Sequence, residues 1–190
     1  TRLRQESISE DDDYFGLKEM EQNNRHKQFQ NVDYGLEPNI KNSPGGLRDI
    51  HTVMWIALKR HKTASKRELV KLGVLTKTES RLLAAAEKFL RHTRFGLHLI
   101  SKNKEDRLRF MYQRELSTML GYKGSAVRPD VERFMQKYYR HVLAIQEVNT
   151  IVIQSFRENL SKVTERQTKI NPRFNLTGNY IEVARDSVFK

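Results

Sequence analysis

Apolar residues recur at helical spacing along most of the chain. The clearest stripes run through residues 47–58, 76–101 and 129–160, where apolar side chains fall three and four positions apart. Such spacing places one face of each helix against a core. Thr76 followed by Glu79 has the spacing of a capping box, which marks a helix start. Weaker stripes predict shorter helices at 14–30, 65–71 and 111–120.

Two segments alternate apolar and polar residues with a period of two, which is typical of strands. Residues 32–37 predict a short strand that ends with Glu37, just before Pro38. Residues 174–176 and 180–183 flank a polar turn and predict a β-hairpin outside the bundle. The predicted fold class is therefore mainly α: an antiparallel helical bundle with a short strand near the N-terminus and a β-hairpin at the C-terminus.

The composition narrows the class of protein. The 190 residues include no cysteine, which excludes a disulfide framework, a thiolate zinc site and a cysteine nucleophile. No apolar stretch approaches the roughly 20 residues that a membrane-spanning helix needs. Residues 1–13 are polar, show no apolar period and predict a flexible lead-in, with order beginning near Tyr14. The first residue is Thr1 and no signal pattern follows it, so we expect a fragment of a cytoplasmic protein.

The positive charge is concentrated in one part of the chain. The net charge is +12, yet residues 1–40 hold five basic and nine acidic residues, and residues 41–190 hold 30 basic and 14 acidic. Such a field favours any polyanion, including nucleic acid, a nucleoside triphosphate or an acidic protein surface. One interpretation is thus a basic helical binding module for nucleic acid or a protein partner. No recognised nucleic-acid motif supports it, so we consider nucleic acid an improbable partner.

The segment with the most chemical information is YGLEPNIKNSPGGLRD, residues 34–49. It places Lys41 and a glycine pair, Gly45 and Gly46, before a helix that carries Arg48 in its first turn. Glycines let backbone N–H groups approach an anion, while a helix N-terminus and cations supply positive potential. The segment could therefore bind a phosphate. Spacing alone favours an ordinary Pro-Gly-Gly turn before a helix.

The same segment resembles the family of bifunctional uridylyltransferase/uridylyl-removing enzymes that modify the nitrogen-signalling protein PII. The similarity extends from Tyr14 to the end of the chain and keeps the order of five sequence words. These words are EQNNRH at 21–26, LEPNIK at 36–41, PGGLRDIHT at 44–52, WIALKRH at 55–61 and RFGLHL at 94–99. A different polymerase β-like transferase would share the strand, loop and helix but should lack the full words LEPNIK and GGLRD.

The resemblance implies a function for the whole enzyme. Family members transfer UMP from UTP to a tyrosine of PII with Mg²⁺, and remove it hydrolytically, under the control of glutamine. The implied division is 1–46, the C-terminal edge of a polymerase β-like nucleotidyltransferase domain; 47–160, a helical domain; and 161–190, a linker and hairpin leading to an HD hydrolase domain. Asp11 and Asp13 lack the Gly-rich turn of the metal-binding aspartates, and no His-Asp pair occurs. We therefore expect the isolated chain to be inactive.

The resemblance also implies roles for single residues. Glu37 would be the third carboxylate of the transferase site, orienting the metal or acting as general base, although a surface glutamate beside Pro38 is an equally good interpretation. Lys41 and Arg48 would stabilise the charge of the triphosphate. The nucleotide-binding loop itself would be shaped by Asn39, Gly45 and Gly46. Asp49 fits a helix-start residue better than a metal ligand.

Two further groups of cations fit either a functional site or plain surface positions. Arg25 and His26 belong to a family word, but on an exposed helix such residues usually form a solvated face. Arg91, Arg94 and His98 recur at helical intervals and would either face the nucleotide or form the outer face of an amphipathic helix.

Overall fold

The computed structural model describes residues 2–29, 33–124, 129–164, 167–169, 174–177 and 180–183. The chain is mainly helical, as the apolar periodicity predicts. It forms two compact units, Thr1–Val152 and Ile153–Lys190, with the division inside the last helix. The helices are α1 (Arg2–Lys27), α2 (Asp33–Leu36), α3 (Leu47–His61), α4 (Lys66–Lys71), α5 (Lys77–Ser101), α6 (Phe110–Met119) and α7 (Asp130–Thr164). The strands are β1 (Gln167–Lys169), β2 (Phe174–Thr177) and β3 (Tyr180–Val183).

The predicted C-terminal hairpin is confirmed and is part of a larger sheet. Strands β2 and β3 pair antiparallel, with Thr177 opposite Tyr180 and Phe174 opposite Val183. Strand β1, which the sequence pattern did not predict, pairs antiparallel with β2 to give the order β1-β2-β3. Its three residues are too few to show an alternating pattern.

The predicted strand at 32–37 is wrong, because Asp33–Leu36 form a helical turn. A strand needs a neighbouring strand to bond its backbone, whereas here side chains from two helices do so. The carbonyl of Gly35 accepts a hydrogen bond from the Tyr139 hydroxyl of α7, and that of Leu36 accepts one from Gln113 Nε2 of α6 at 2.8 Å. An extended bridge forms only further along, where Asn39 pairs with Arg107.

The N-terminal helix also differs from the prediction. Helix α1 begins at Arg2, so it includes the segment expected to be a flexible lead-in before Tyr14. That segment contains good helix formers such as Arg, Gln, Glu and Leu, and a helix once nucleated extends without needing an apolar face. The apolar period is therefore a poor guide to where this helix starts.

The core of the first unit is built from the predicted stripes of α3, α5 and α7. The capping box is present at the start of α5, where Thr76 Oγ1 accepts from Glu79 N at 3.1 Å and Glu79 Oε2 accepts from Thr76 N at 2.7 Å. Helices α5 and α6 approach closely at Gly96, where a Cβ would lie 2.8 Å from Leu116 Cδ2. Side chains with almost no solvent exposure are Ile50, Val53, Leu83, Leu90, Leu97, Leu108, Leu116, Phe134, Tyr138 and Ile145.

Among the helices that the structure describes, none is both long enough and apolar enough to cross a membrane.

Candidate functional site

The loop that precedes α3 is fixed by the side chain of Asn39. Its Oδ1 accepts hydrogen bonds from the N–H groups of Lys41, at 3.1 Å, and Asn42, at 2.8 Å. The backbone N–H of Asn39 donates to Ser43 Oγ at 2.9 Å, which closes the turn from the other side. A side-chain amide that bonds the backbone two and three residues ahead is a common way to hold a turn. The structure thus gives Asn39 a loop-shaping position.

The glycine pair is required by close packing. Gly45 has a φ of +75°, and a Cβ there would lie 2.4 Å from the carbonyl oxygen of Val142 on α7. A Cβ on Gly46 would lie 2.8 Å from the carbonyl oxygens of both Lys41 and Ser43. Since no side chain can be accommodated at either position, these two glycines bring the loop against α7 and fold it back on itself.

The backbone N–H groups at the start of α3 are bonded within the protein. Gly45 N donates to Asp49 Oδ2 at 2.7 Å. The next three N–H groups donate to loop carbonyls, namely Gly46 to Ser43, Leu47 to Ile40 and Arg48 to Lys41, at 2.8, 3.1 and 2.9 Å. A phosphate cradle of free N–H groups is one of the two interpretations of this segment, beside an ordinary turn before a helix. With those donors engaged, an anion here would be bound by side chains.

Asp49 lies in the first turn of α3, as predicted, but it is fully buried and does more than complement the helix dipole. Its Oδ1 lies 2.8 Å from Arg25 Nη2 and 2.9 Å from His26 Nε2, both on α1. The interpretation of Arg25 and His26 as a solvated face is therefore wrong, because their side chains are only 11% and 25% exposed. Residues of two sequence motifs, EQNNRH and PGGLRDIHT, thus contact each other at the carboxylate of Asp49.

The pattern of polar residues did not single out Gln22 and Asn149, which extend this network. Gln22 Nε2 donates to Asn149 Oδ1 at 2.7 Å, and Asn149 Nδ2 donates to Gln22 Oε1 and to the carbonyl of Asp49, both at 3.1 Å. Both side chains are buried. The one available signal was a polar Asn inside the apolar stripe of α7. We call the set Gln22, Arg25, His26, Gly45, Asp49 and Asn149 the Asp49 network.

The Asp49 network joins the loop to three helices, α1, α3 and α7. Arg25 adds a further bond, from Nη1 to the carbonyl of Asn42 at 3.0 Å. The buried carboxylate of Asp49 is tolerated because it is paired with the guanidinium of Arg25, accepts a hydrogen bond from Gly45 N and lies within hydrogen-bond distance of His26 Nε2. The network therefore sets the position of the loop that carries Lys41 and Arg48.

Glu37 contacts the start of α6 rather than the loop cations. Its Oε2 lies 3.0 Å from Arg107 Nη2, and its Oε1 accepts from the N–H of Phe110 at 2.9 Å. Both carboxylate oxygens are thus engaged. Its catalytic and metal-binding role stays a prediction.

Magnesium is held by oxygen ligands, commonly one or two carboxylates together with substrate phosphates and water. In the part of the chain that the structure describes, no three side chains of His, Asp or Glu come together as a metal site. Since both oxygens of Glu37 are also engaged, the described residues do not by themselves fit this ion.

A cleft between α3 and α5 brings most of the remaining predicted cations together. Its volume is about 350 Å³, and we call it the cationic cleft. It is lined by Leu47 and His51 from α3 and by Arg91, Arg94, Phe95 and His98 from α5. The α5 residues are spaced so that they share one face of the helix. Arg91, Arg94 and His98 thus line one cleft, and that they face the nucleotide stays a prediction.

The positive charges of Lys41 and Arg48 also act on a side chain of this cleft. Burial lowers the pKa of His51, Glu87 raises it, and the positive charges of Arg48, Arg91 and Lys41 lower it again. The net pKa of His51 lies below its usual value, so the imidazole is neutral at pH 7. The positive charges of three residues, from the loop, α3 and α5, therefore act on one side chain of the cleft.

Carboxylates hold the arginines of the cleft in place. Arg94 Nε and His98 Nε2 lie 2.6 and 3.1 Å from Asp106 Oδ1, and Arg91 Nη2 lies 2.6 Å from Glu87 Oε1. Burial would raise the pKa of Asp106, but the hydrogen bonds and charges of Arg94 and His98 lower it overall. Since a guanidinium carries five N–H donors, each arginine keeps donors for a ligand.

An aromatic ring borders the cleft beyond His51. The Trp55 ring centroid lies 5.8 Å from that of His51 and 5.4 Å from Arg48 Cζ, while Lys18 Nζ lies 4.8 Å from it on the α1 side. Such a cation–π contact holds the Arg48 side chain against the Trp55 ring and leaves its positive charge intact. The sequence motifs by themselves do not assign a role to Trp55.

The fold and the site define the chain as a helical domain with a hydrogen-bonded loop before α3 and a cationic cleft between α3 and α5. The family model described as GlnD PII-uridylyltransferase matches residues 14–153. The chain belongs to the GlnD PII-uridylyltransferase family.

Bacterial relatives in this family are named bifunctional uridylyltransferase/uridylyl-removing enzyme. The chain is 41% identical over 180 residues to that of Pseudomonas fluorescens SBW25, 42% over 181 to that of Pseudomonas aeruginosa LESB58 and 43% over 180 to that of Stutzerimonas stutzeri A1501. Each alignment covers 94% of this chain and 20% of the relative. The chain therefore spans about a fifth of the length of the curated relatives it matches.

Proposed function

We propose that the chain is part of a longer enzyme that transfers UMP from UTP to a tyrosine of PII, and that the whole enzyme removes it hydrolytically under the control of glutamine. The family membership and the names of the relatives support both activities. The observation that carries the proposal for this chain is the position of Arg48, one of the two predicted triphosphate-binding cations, in the first turn of α3 next to Leu47, which lines the cationic cleft together with Arg91 and Arg94 of α5. The positive charges of Lys41 and Arg48 also lower the pKa of His51 in that cleft.

The transfer requires a group that stabilises the leaving phosphates. The tyrosine oxygen attacks the α-phosphorus of UTP, the bond between the α-phosphorus and the bridging oxygen breaks, and pyrophosphate leaves with that electron pair. Negative charge on the pyrophosphate grows in the transition state, so fixed cations lower the barrier. Lys41 would act as a point charge, whereas Arg48 offers a planar set of donors that matches phosphate geometry.

Glu37 would accept the proton of the attacking hydroxyl. In the structure its carboxylate bonds Arg107 and the N–H of Phe110, so this role requires the carboxylate to leave at least one of these partners. The surface interpretation of Glu37 predicts no such movement. Asn39, Gly45 and Gly46 would hold the loop in shape, as their contacts already support.

Magnesium would be bound mainly by residues outside this chain. In the resembling family the ion is held by paired aspartates of the nucleotidyltransferase domain, and it supplies charge neutralisation at the triphosphate. We therefore propose that the isolated chain binds UTP weakly and does not transfer UMP. Residues 1–46 would complete that domain, 47–160 would form the helical domain, and 161–190 would lead to an HD domain, all in the cytoplasm.

Calorimetric titration of UTP with Mg²⁺ into the chain tests the proposal. Lys41→Ala and Arg48→Ala should each weaken binding about tenfold, because each removes a charge-assisted contact. Lys71→Ala on α4 and Arg81→Ala on α5, both exposed, are the matched controls and should bind as the wild type. Equal weakening by all four variants would reduce the effect to general charge, and unchanged binding by Lys41→Ala and Arg48→Ala would contradict the proposal.

A further inference from the structure

The cationic cleft has features that the proposed transfer reaction does not require. Its α5 residues Arg91, Arg94 and His98 lie on a different element from the loop cations, yet they face the same cavity as His51. Phe95 lines the same cleft and is 64% exposed, so its ring is accessible to a ligand. A cavity with cations on two helices and an exposed ring has the composition of a ligand site.

Both arginines of the cleft are paired with carboxylates, although the side chain of Arg91 is 63% exposed. Asp106 holds Arg94 through Nε at 2.6 Å and Nη2 at 3.4 Å, and it also holds His98. Glu87 holds Arg91 and is itself bonded by Lys66 Nζ at 2.6 Å. Carboxylates that orient guanidinium groups reduce the entropy lost when those groups bind an anion.

The charge of the ligand follows from the field at His51. The groups whose charges act on this imidazole are Lys41 from the loop, Arg48 on its own helix, and Arg91 and Glu87 from α5. Arg94 and His98 line the same cleft and lie beside the carboxylate of Asp106. The lysine and three arginines outnumber the two carboxylates, so the site favours a group with several negative charges. Polyphosphate matches both this charge and the several N–H donors that two arginines present.

We propose that the cationic cleft between α3 and α5 binds the polyphosphate group of the nucleotide, with Arg91 and Arg94 donating to its oxygens and His51 beside it. The inference rests on the proposed function for the identity of the ligand, since Leu47, next to Arg48 in the chain, lines the cleft. It adds a phosphate subsite on α5, which lies outside the sequence motifs of the loop. Phe95 would lie at the rim, beside the less charged end of the ligand.

Binding of sodium tripolyphosphate to the whole chain tests the subsite apart from the transfer reaction, because this probe has no uridine and no nucleotidyl group. Calorimetry at low ionic strength should show binding that Arg91→Ala weakens about tenfold, since a charge-assisted contact is lost. Arg81→Ala removes the same charge from an exposed position of the same helix and is the matched control. Equal affinities of Arg91→Ala and Arg81→Ala would overturn the proposal.

The imidazole of His51 supplies a second readout that does not depend on folding differences between variants. A bound polyanion offsets the nearby positive charges, so the pKa of His51 should rise when tripolyphosphate binds, as followed by NMR of the wild-type ring protons. Binding should accordingly tighten as the pH falls through the pKa of the bound state. The ring of His141 on α7, whose pKa burial and Lys137 lower, should not respond. An unchanged pKa of His51 in saturating ligand would overturn the proposal.

Two further titrations identify the source of the phosphates. UTP should bind at least as tightly as tripolyphosphate and should be weakened by Arg91→Ala to a similar degree. A short single-stranded oligonucleotide should bind more weakly than tripolyphosphate, and the reverse order would assign the surface to nucleic acid and overturn the proposal. If UTP fails to bind while tripolyphosphate binding depends on Arg91, the subsite stands and the proposed function for the loop cations fails.

Discussion

Asn149 Nδ2, on α7, lies 3.1 Å from the backbone carbonyl of Asp49, 100 positions earlier in the chain. This contact links the longest helix to the first turn of α3, directly behind the loop that carries Lys41. The same amide pairs with Gln22 on α1. The position of the candidate site therefore depends on polar contacts in the interior as much as on apolar packing.

Removing the charge of Asp49 should destabilise the fold strongly. Asp49→Asn leaves Arg25 and His26 beside a neutral group, and breaking a buried ion pair costs about 3 to 5 kcal/mol. Urea unfolding followed by circular dichroism measures the free energy of unfolding. Glu115→Gln, at an exposed position of α6, serves as control and should change it by less than about 0.5 kcal/mol. Similar losses for both variants would show that the Asp49 network is not a stabilising unit.

Gln22 and Asn149 should be energetically coupled. Asn149→Ala removes the amide that donates to Asp49 and leaves the amide of Gln22 without its partner, at a cost of about 1 to 3 kcal/mol. Because the two side chains bond each other twice, the double variant with Gln22→Ala should lose less than the sum of the single variants. Additive losses in urea unfolding would contradict the pairing.

Gly45 should tolerate no side chain, and Gly73 gives a matched comparison. Both have a similar positive φ, +75° and +73°, but nothing lies near a Cβ at Gly73, whereas at Gly45 it meets the Val142 carbonyl. Gly73→Ala should therefore cost only the backbone strain, about 1 to 2 kcal/mol. Gly45→Ala should cost roughly twice that or more, since the loop must move away from α7. Equal unfolding free energies of the two variants would refute this packing.

Acid should weaken the protein partly through Asp106. The pKa of this carboxyl is lowered in the folded state, so its contribution to stability is present above its ordinary pKa and is lost as the pH falls through the folded pKa. Between pH 5 and pH 3, in the range of ordinary carboxyl titration, wild type should lose more stability than Asp106→Asn, which has no proton to gain. Parallel pH profiles from urea unfolding would show that Asp106 contributes nothing.

Local features of the fold could be predicted from the sequence, while long-range ones could not. Thr76 and Glu79 form the expected capping box because both partners lie within four residues. The strand at 32–37 fails because the hydrogen bonds of Gly35 and Leu36 come from Tyr139 and Gln113, which no local pattern reveals.

The candidate site likewise contains some residues that the sequence predicts and others that only the structure reveals. The sequence motifs shared with the family predict that Lys41 and Arg48 belong to the site. Helical spacing leaves open whether Arg91, Arg94 and His98 also belong to it or form an outer face. The contribution of Asn149 and the burial of Arg25 depend on contacts across the fold, so residue type and spacing gave the wrong environment for Arg25. Only the structure brings the α5 cations into one cleft with Leu47 and His51 of α3.

The most direct test of the account is the affinity of UTP with Mg²⁺ for the double variant Arg48→Ala/Arg91→Ala, measured by calorimetry beside the control Lys71→Ala/Arg81→Ala. The account predicts that the cleft variant binds roughly a hundredfold more weakly than wild type, because one charge-assisted contact is lost from each helix. The control should bind nearly as wild type. Equal affinities of the two double variants would contradict the claim that the loop and the cationic cleft form one phosphate site.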